Sequence, residues 1–400
     1  MRAVADQIGH PQPNAAARSE SATGARRPLK VCIVGLKCYD HMAGSPVLRY
    51  LGGIETQLVL LAKGLRDEGC DVSLITYDHG QADQQVFENI KVLKSYSPTG
   101  GIRRLRWFSR LAKLWRAMKI ADADIYLQMG AGDETGMVAA GCRAKFFPKR
   151  RFVFCLAHDM DCTQPIGATS RWEAQSLIYR LGINQADLVI SQTKTQQTKL
   201  QASMGYSSLI IQMAAKATEG SCGGPACAND VLWIGRIVGE KRPHWVMDIA
   251  RRCPNVTFHM AGSTNNSSEY SAKVLADAKT LPNVRMHGSL TRPQLNDLFR
   301  KCSLLCCTSE TEGFPTSFLE VWSCGMPIVT TFDPDGVIAR NGLGLVVKSV
   351  EELATEIQTL PKSAAYGGMS NACRKYYLDN QTVEAVARRF HRAFKDMLAA

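Results

Sequence analysis

The sequence predicts an α/β protein of two doubly wound domains facing one another across a cleft, and three observations predict it. The chain has 400 residues, too many for one ordinary core and suited to two domains of roughly 150–200 residues each. Hydrophobic residues make up 45% and charged residues 21%, so apolar material for sizeable cores is present and a disordered chain is excluded. Short β-branched runs alternate with helix-length segments, the mark of βαβ units, and the alternation restarts after a Gly-rich break.

The elements follow in order. Residues 1–28 are rich in Ala, Arg, Ser and Pro with no apolar period, which predicts a flexible tail. KVCIVGL (30–36) is a continuous apolar run ending in Gly, as a strand buried in a parallel sheet requires. Gly52-Gly53 then opens the segment IETQLVLLAKGLRDEG, whose apolar residues at 54, 58, 61 and 65 share one helical face. Strands are predicted at 72–76, 124–129, 151–157 and 187–192, completing a domain over 29–215. Residues 216–229, small, polar and Gly-rich, form the linker. Strands at 231–235, 256–262, 284–288, 304–309, 327–332 and 344–347 build the second domain, 230–375. Residues 376–400 carry an amphipathic helix that can pack back on the first domain.

The fourteen cysteines lack the dense spacing of a disulfide scaffold, and no pair has zinc-site companions. A reducing cytoplasm is the expected setting, and no window is apolar enough to cross a membrane. Net charge is +12, which favours an anionic partner. No recognition motif accompanies that charge, so nucleic acid is not the expected partner.

Ligands of doubly wound sheets bind beyond the carboxyl ends of the strands, and the motifs fall there. Gly52 and Gly53 precede a helix. Arg236 and Lys241 share the loop after VLWIG, where two cations and helix-terminal amides suit a diphosphate; as a bare pair they read equally well as solvated loop charges. After LLCCTS comes ETEGFP, and then a helix with Pro315 near its first turn, which frees the amides around Thr316 and Ser317. Glu312 stands before that helix and Glu320 one turn into it. Carboxylates are poor neighbours of phosphate but good acceptors for hydroxyls, so phosphate and polyol together point to a nucleotide sugar. On spacing alone the two glutamates read equally as a helix-start acid and a surface residue.

Three stretches, GGIETQLVLLAKGLRDEGCDVSLIT, WIGRIVGEKRPHWVMDIA and SETEGFPTSFLEVWSCGMPIVTT, resemble the retaining family 4 type of glycosyltransferases with the GT-B fold (glycosyl transferases group 1). The resemblance runs from about Lys30 almost to the C-terminus, and the last stretch holds the family's E-x7-E signature. It implies two Rossmann-like domains, a nucleotide-sugar donor held mainly by the second and a glycan or lipid-linked acceptor bound mainly by the first. By residue, it assigns Arg236 and Lys241 to the diphosphate, Glu312 to the donor sugar and reaction centre, and Glu320 to the ribose hydroxyls. Gly52 and Gly53 match the loop approaching the diphosphate from the other domain, Phe314, Pro315, Thr316 and Ser317 the donor-facing helix start, and His158 a histidine lining the sugar and acceptor pocket. Glu312 and His158 are thus the candidate catalytic residues, and neither a metal nor an organic cofactor is expected. The chain departs from the family at Gly69-Cys70, where Gly-His is usual, in the linker QMAAKATEG, and in FDPDGVI, which lacks the usual Gly-Gly and glutamate.

Residues 102–119, IRRLRWFSRLAKLWRAMK, carry seven basic and no acidic residues, with Leu105, Trp107, Phe108, Leu111, Leu114, Trp115 and Met118 over half the helical wheel. This suits an interfacial helix on an anionic membrane as well as a core helix with a solvated basic face. A cytoplasmic protein working at the inner face of a membrane, in polysaccharide or glycolipid synthesis, follows from the first. Two other function classes stay open: a GT-B nucleotide-sugar epimerase and a non-catalytic nucleotide-sugar binder.

Overall fold

Every apolar run named above becomes a strand of one of two sheets. The computed structural model describes residues 27–45, 49, 53–100, 106–144, 150–162, 170–218, 220–264 and 269–400. Gly52, residues 102–105 and nearly all of the expected tail lie outside these. The first sheet comprises β1 (Lys30–Val34), β2 (Asp71–Thr76), β3 (Gln84–Phe87), β4 (Ile90–Lys94), β5 (Ile125–Met129), β6 (Arg151–Cys155), β7 (Leu188–Ser191) and β8 (Leu209–Ile210). The second holds β9 (Asp230–Ile234), β10 (Thr257–Ala261), β11 (Val284–Gly288), β12 (Leu304–Cys307), β13 (Ile328–Thr330) and β14 (Gly344–Val346). Their orders are β3-β4-β2-β1-β5-β6-β7-β8 and β11-β10-β9-β12-β13-β14. All neighbours run parallel except the β3–β4 hairpin at the edge of the first sheet. Central strands are covered by helices on both faces: Val31, Cys32 and Ile33 have no exposed surface, which is why β1 reads as an unbroken apolar run.

Strand order reverses at β1/β5 in the first sheet and at β9/β12 in the second. Side chains after those four strands therefore gather at the two crevices where such sheets bind ligands. The sequence reading did not foresee β3, β4 and β8. The β3–β4 turn places Glu88 and Asn89 at φ of 48° and 63°, the left-handed pair of a tight hairpin, without the Asn-Gly or Asp-Gly signal that usually announces one.

The linker is not a free tether. Thr218 N–H donates to Ser323 Oγ at 2.9 Å and Cys222 N–H to the Cys324 carbonyl at 3.0 Å, so the segment lies along the second domain. The helix Ala365–Asn380 stays on that domain, with Tyr376 edge-on to Trp322 at 5.4 Å. The chain crosses back at Gln381, where Thr382 caps the last helix, Val383–Ala399, by accepting from Ala385 N–H. This helix packs on Gly53–Asp67 of the first domain. Gly64 makes the approach possible: a Cβ there would stand 2.7 Å from the Cβ of Ala387.

The basic helix, Arg106–Ala121, divides its apolar face. Leu114 and Met118 are fully buried and Trp115 Nε1–H donates to the Met137 carbonyl at 2.9 Å, whereas Trp107 and Phe108 are 39% and 65% exposed. Among the described residues no helix is long and apolar enough to cross a membrane. All fourteen cysteines are free, and burial pushes thiols such as Cys32 up to about 12, which removes them as nucleophiles at neutral pH.

Candidate functional site

Between the two crevices lies a cavity of 790 Å³, of the size that holds small-molecule ligands. Gly53, His158, Arg236, Lys241, Glu312, Phe314, Pro315, Thr316 and Ser317 all line it. Glu320 does not: its side chain is 14% exposed and its carboxylate is held by Arg292 at 2.6 Å. Gly52 falls outside the described residues.

The cationic loop is built by close backbone contact. Gly262 follows β10 at φ 152°, and a Cβ there would lie 1.8 Å from the Gly235 carbonyl oxygen, so only glycine lets the two strand ends touch. Arg236 leaves directly from that contact. Further on, Arg242 takes the left-handed conformation (φ 46°) to start the helix Pro243–Arg252. The loop is stitched to the glutamate turn: Trp233 Nε1–H donates to Thr308 Oγ1 at 3.0 Å, Thr308 donates to the Lys241 carbonyl at 2.7 Å, and Glu310 N–H donates to the Glu240 carbonyl at 2.9 Å. Arg242 and Glu310 add an ion pair at 2.7 Å. These bonds fix Lys241 beside Glu312. Lys241 Nζ pairs with Glu312 Oε1, and the Ser309 hydroxyl donates to the same oxygen at 2.8 Å. The lysine and glutamate side chains are only 19% and 15% exposed, so their charges act with little screening.

Phe314, Phe318 and Trp322 bury the inner face of Thr316–Ser323 and thereby aim its start at the cavity. Pro315 occupies the N-cap, and no side chain caps the helix, which leaves its first amides for a ligand. Across the cleft the helix Gly53–Asp67 begins at the same place: a Cβ on Gly53 would sit 3.6 Å from Thr316 Cγ2. The starts of two helices thus border the same cavity as Arg236 and Lys241.

On the other side, His158 is exposed to the cleft just beyond β6. Its backbone is positioned by Asp161, a buried carboxylate that sequence reasoning missed. Asp161 accepts from the N–H groups of Ala157 at 2.7 Å, His158 at 3.0 Å and Ala131 at 3.4 Å, tying together the ends of β5 and β6. The only signal in the sequence was an acid three residues after the histidine.

Asp335 was also missed. It lies in FDPDGVI, where the chain lacks the family's Gly-Gly, and it keeps a glycine-like φ of 54°. Its carboxylate accepts from Lys194 N–H at 2.5 Å and from Thr195 N–H and Oγ1–H at 3.0 and 2.9 Å, so the second domain caps the helix Lys194–Met204 of the first. Asp333, two residues earlier, caps its own helix through Ile338 N–H at 2.8 Å. Asp335→Ala is expected to weaken the closed arrangement by about 1 kcal/mol, the usual worth of a cap. Small-angle scattering checks this: the radius of gyration should rise, and an unchanged value would show that the cap does not hold the domains together.

A family model described as Glycosyl transferases group 1 matches residues 228–363, and one described as Glycosyltransferase Family 4 matches residues 51–211. Among curated proteins the chain is 26% identical over 194 residues to the D-inositol 3-phosphate glycosyltransferase of Mycobacterium avium (strain 104), a match covering 45% of this chain and 46% of that one. The match therefore spans about half the length of this relative. Among solved structures, sucrose-phosphate synthase from Thermosynechococcus elongatus superposes with a TM-score of 0.73 at 16% identity, over 94% of this chain and 100% of that chain. Anabaena HepE, solved in complex with UDP and glucose, gives 0.68 at 16% identity over 92% and 100%. WaaG, a glycosyltransferase involved in lipopolysaccharide biosynthesis, gives 0.64 at 15% identity over 90% and 98%. At such identities these likenesses are of fold.

Proposed function

We propose that this chain, which belongs to the GT-B glycosyl transferases of the group 1, family 4 type, moves a sugar from a nucleoside-diphosphate sugar to a hydroxyl acceptor with retention of anomeric configuration. The observation that carries the reading is the convergence of Arg236, Lys241 and the uncapped start of Thr316–Ser323 on one side of a cleft whose other side presents Gly53 and His158.

In this reading the bond between the anomeric carbon and the β-phosphate oxygen breaks, and its electron pair stays on the diphosphate. Arg236, Lys241 and the helix amides stabilise that growing charge, so no metal is required. The acceptor oxygen bonds to the anomeric carbon on the face the diphosphate leaves, and its proton passes to a departing phosphate oxygen. Glu312 holds a donor-sugar hydroxyl and keeps Lys241 in place, while His158 lines the space between sugar and acceptor. Glu320 takes the ribose hydroxyls once they replace Arg292. A panel of nucleotide sugars with membrane extract as acceptor tests this: one donor should release its nucleoside diphosphate, and release by none, or isomerisation of the donor without acceptor, would refute the reading.

The acceptor is proposed to be lipid-linked, in polysaccharide or glycolipid synthesis at the inner face of a membrane. Trp107 and Phe108 support this by projecting from a helix whose Lys113, Arg116 and Lys119 are exposed. The double variant Trp107→Ala/Phe108→Ala should lose at least about tenfold in partition onto phosphatidylglycerol-containing vesicles, since each large apolar side chain gains roughly 1.5–3 kcal/mol on burial. Equal sedimentation of both proteins with the vesicles would exclude this surface.

A further inference from the structure

A second cavity, of 210 Å³, opens off the main one at the β1/β5 crevice of the first domain. Lys37, Ile54, Glu55 and Met129 line both, so the two adjoin. Glu55 marks the junction. It is 9% exposed, sits in the first turn of Gly53–Asp67, and its carboxylate has no hydrogen-bond or ion-pair partner among the described residues. Glu55 lines both cavities, where a ligand hydroxyl can supply the missing partner.

Glu134 faces the same space from the first turn of Asp133–Arg143. The hydroxyls of Tyr77 and Tyr96 both donate to its Oε1, at 3.4 and 3.3 Å. Burial and the Glu134 carboxylate push the Tyr96 hydroxyl well up, so it stays a donor. Glu134 Oε2 lies over Gly132, where a Cβ would come within 2.5 Å of it, and it has no partner among the described residues. The floor is apolar, formed by Ile54, Leu58 and Met129.

We propose that this side cavity is the acceptor subsite and that it takes a single uncharged polyhydroxylated ring, whose hydroxyls donate to Glu55 and Glu134. The assignment rests on the transferase reading above and names its acceptor class. Among the described lining residues two carboxylates face one cation, Lys37, a formally negative balance that suits hydroxyl donors and disfavours a phosphate or carboxylate on the ring. The apolar floor accepts the C–H face of such a ring, and the cavity has room for one ring rather than a chain of them. Glu55, at the opening, directs one ring hydroxyl toward the main cleft.

Saturation-transfer NMR on the full chain tests this with D-glucose, D-mannose and myo-inositol as uncharged probes and glucose 6-phosphate and glucuronate as charged ones, with and without UDP, GDP or ADP. At least one uncharged ring should bind, tighter than any charged one. Its affinity should fall about tenfold in both Glu55→Gln and Glu134→Gln, while nucleotide affinity stays within about twofold, which also shows that the variants are folded. A charged ring binding as tightly, unchanged affinity in the variants, or no ring bound at all would overturn the subsite. Failure to bind any nucleotide would instead strike the transferase reading, and ring binding measured alone still decides the subsite.

Discussion

Lys241→Ala is expected to lower kcat for sugar transfer by about 10²–10³-fold, the cost of removing one group aimed at charge that develops in the transition state. The structure places this side chain where its loss has no ready substitute. Its carbonyl is held by Thr308, its loop is pinned by the Gly235–Gly262 contact, and its Nζ lies against Glu312 inside the cavity. The donor diphosphate already carries negative charge in the ground state, so part of the loss will appear in KM. The larger part should fall on kcat, because charge grows as the sugar leaves. Removing the lysine also leaves Glu312, 15% exposed, with Ser309 as its remaining partner among the described residues. The double variant with Glu312→Gln should therefore cost less than the sum of the two single losses. A kcat reduced less than about threefold, with an unchanged melting temperature, would mean that the leaving charge develops elsewhere.

The largest expected loss of stability comes from Phe390→Ala, about 3–5 kcal/mol. Phe390 and Phe394 are fully buried on the last helix, with ring centroids 5.9 Å apart, where it covers Gly53–Asp67. Gly64 brings the two helices into contact at Ala387 and Val383, so the packing beside Phe390 is close. The covered helix begins at Gly53 in the cleft, so loosening its far end should also weaken nucleotide binding. Urea denaturation followed by far-UV circular dichroism measures the first effect and nucleotide titration the second. A loss below about 1 kcal/mol would show that the last helix is not part of the cooperative unit.

Much of this architecture was legible because parallel strands covered on both faces must be apolar throughout, as KVCIVGL and LLCCTS are, and because glycines and short polar turns punctuate them. That Arg236, Lys241 and Glu312 share one cavity was legible for a related reason: each stands a few residues after a strand that the sequence itself reveals. Glu55 was hidden inside an amphipathic pattern, where an acid in the first turn looks like an ordinary helix-start charge. Asp161 and Asp335 act through backbone amides of residues 30 and 140 positions away, Ala131 and Thr195, and no periodicity encodes such partners. The basic helix was ambiguous because its apolar face serves two surroundings, with Leu114 and Met118 in the core and Phe108 in solvent.

The central claim is that this cleft transfers the sugar of a nucleoside-diphosphate sugar to an acceptor hydroxyl. Proton NMR of a reaction with the donor selected by nucleotide release tests it most directly, because the anomeric proton reports bond and configuration together. The account predicts that the donor's anomeric signal decays as a new one of the same configuration grows, with equimolar free nucleoside diphosphate. A sugar that changes configuration while still attached to its nucleotide, or a product of inverted anomeric configuration, would contradict it.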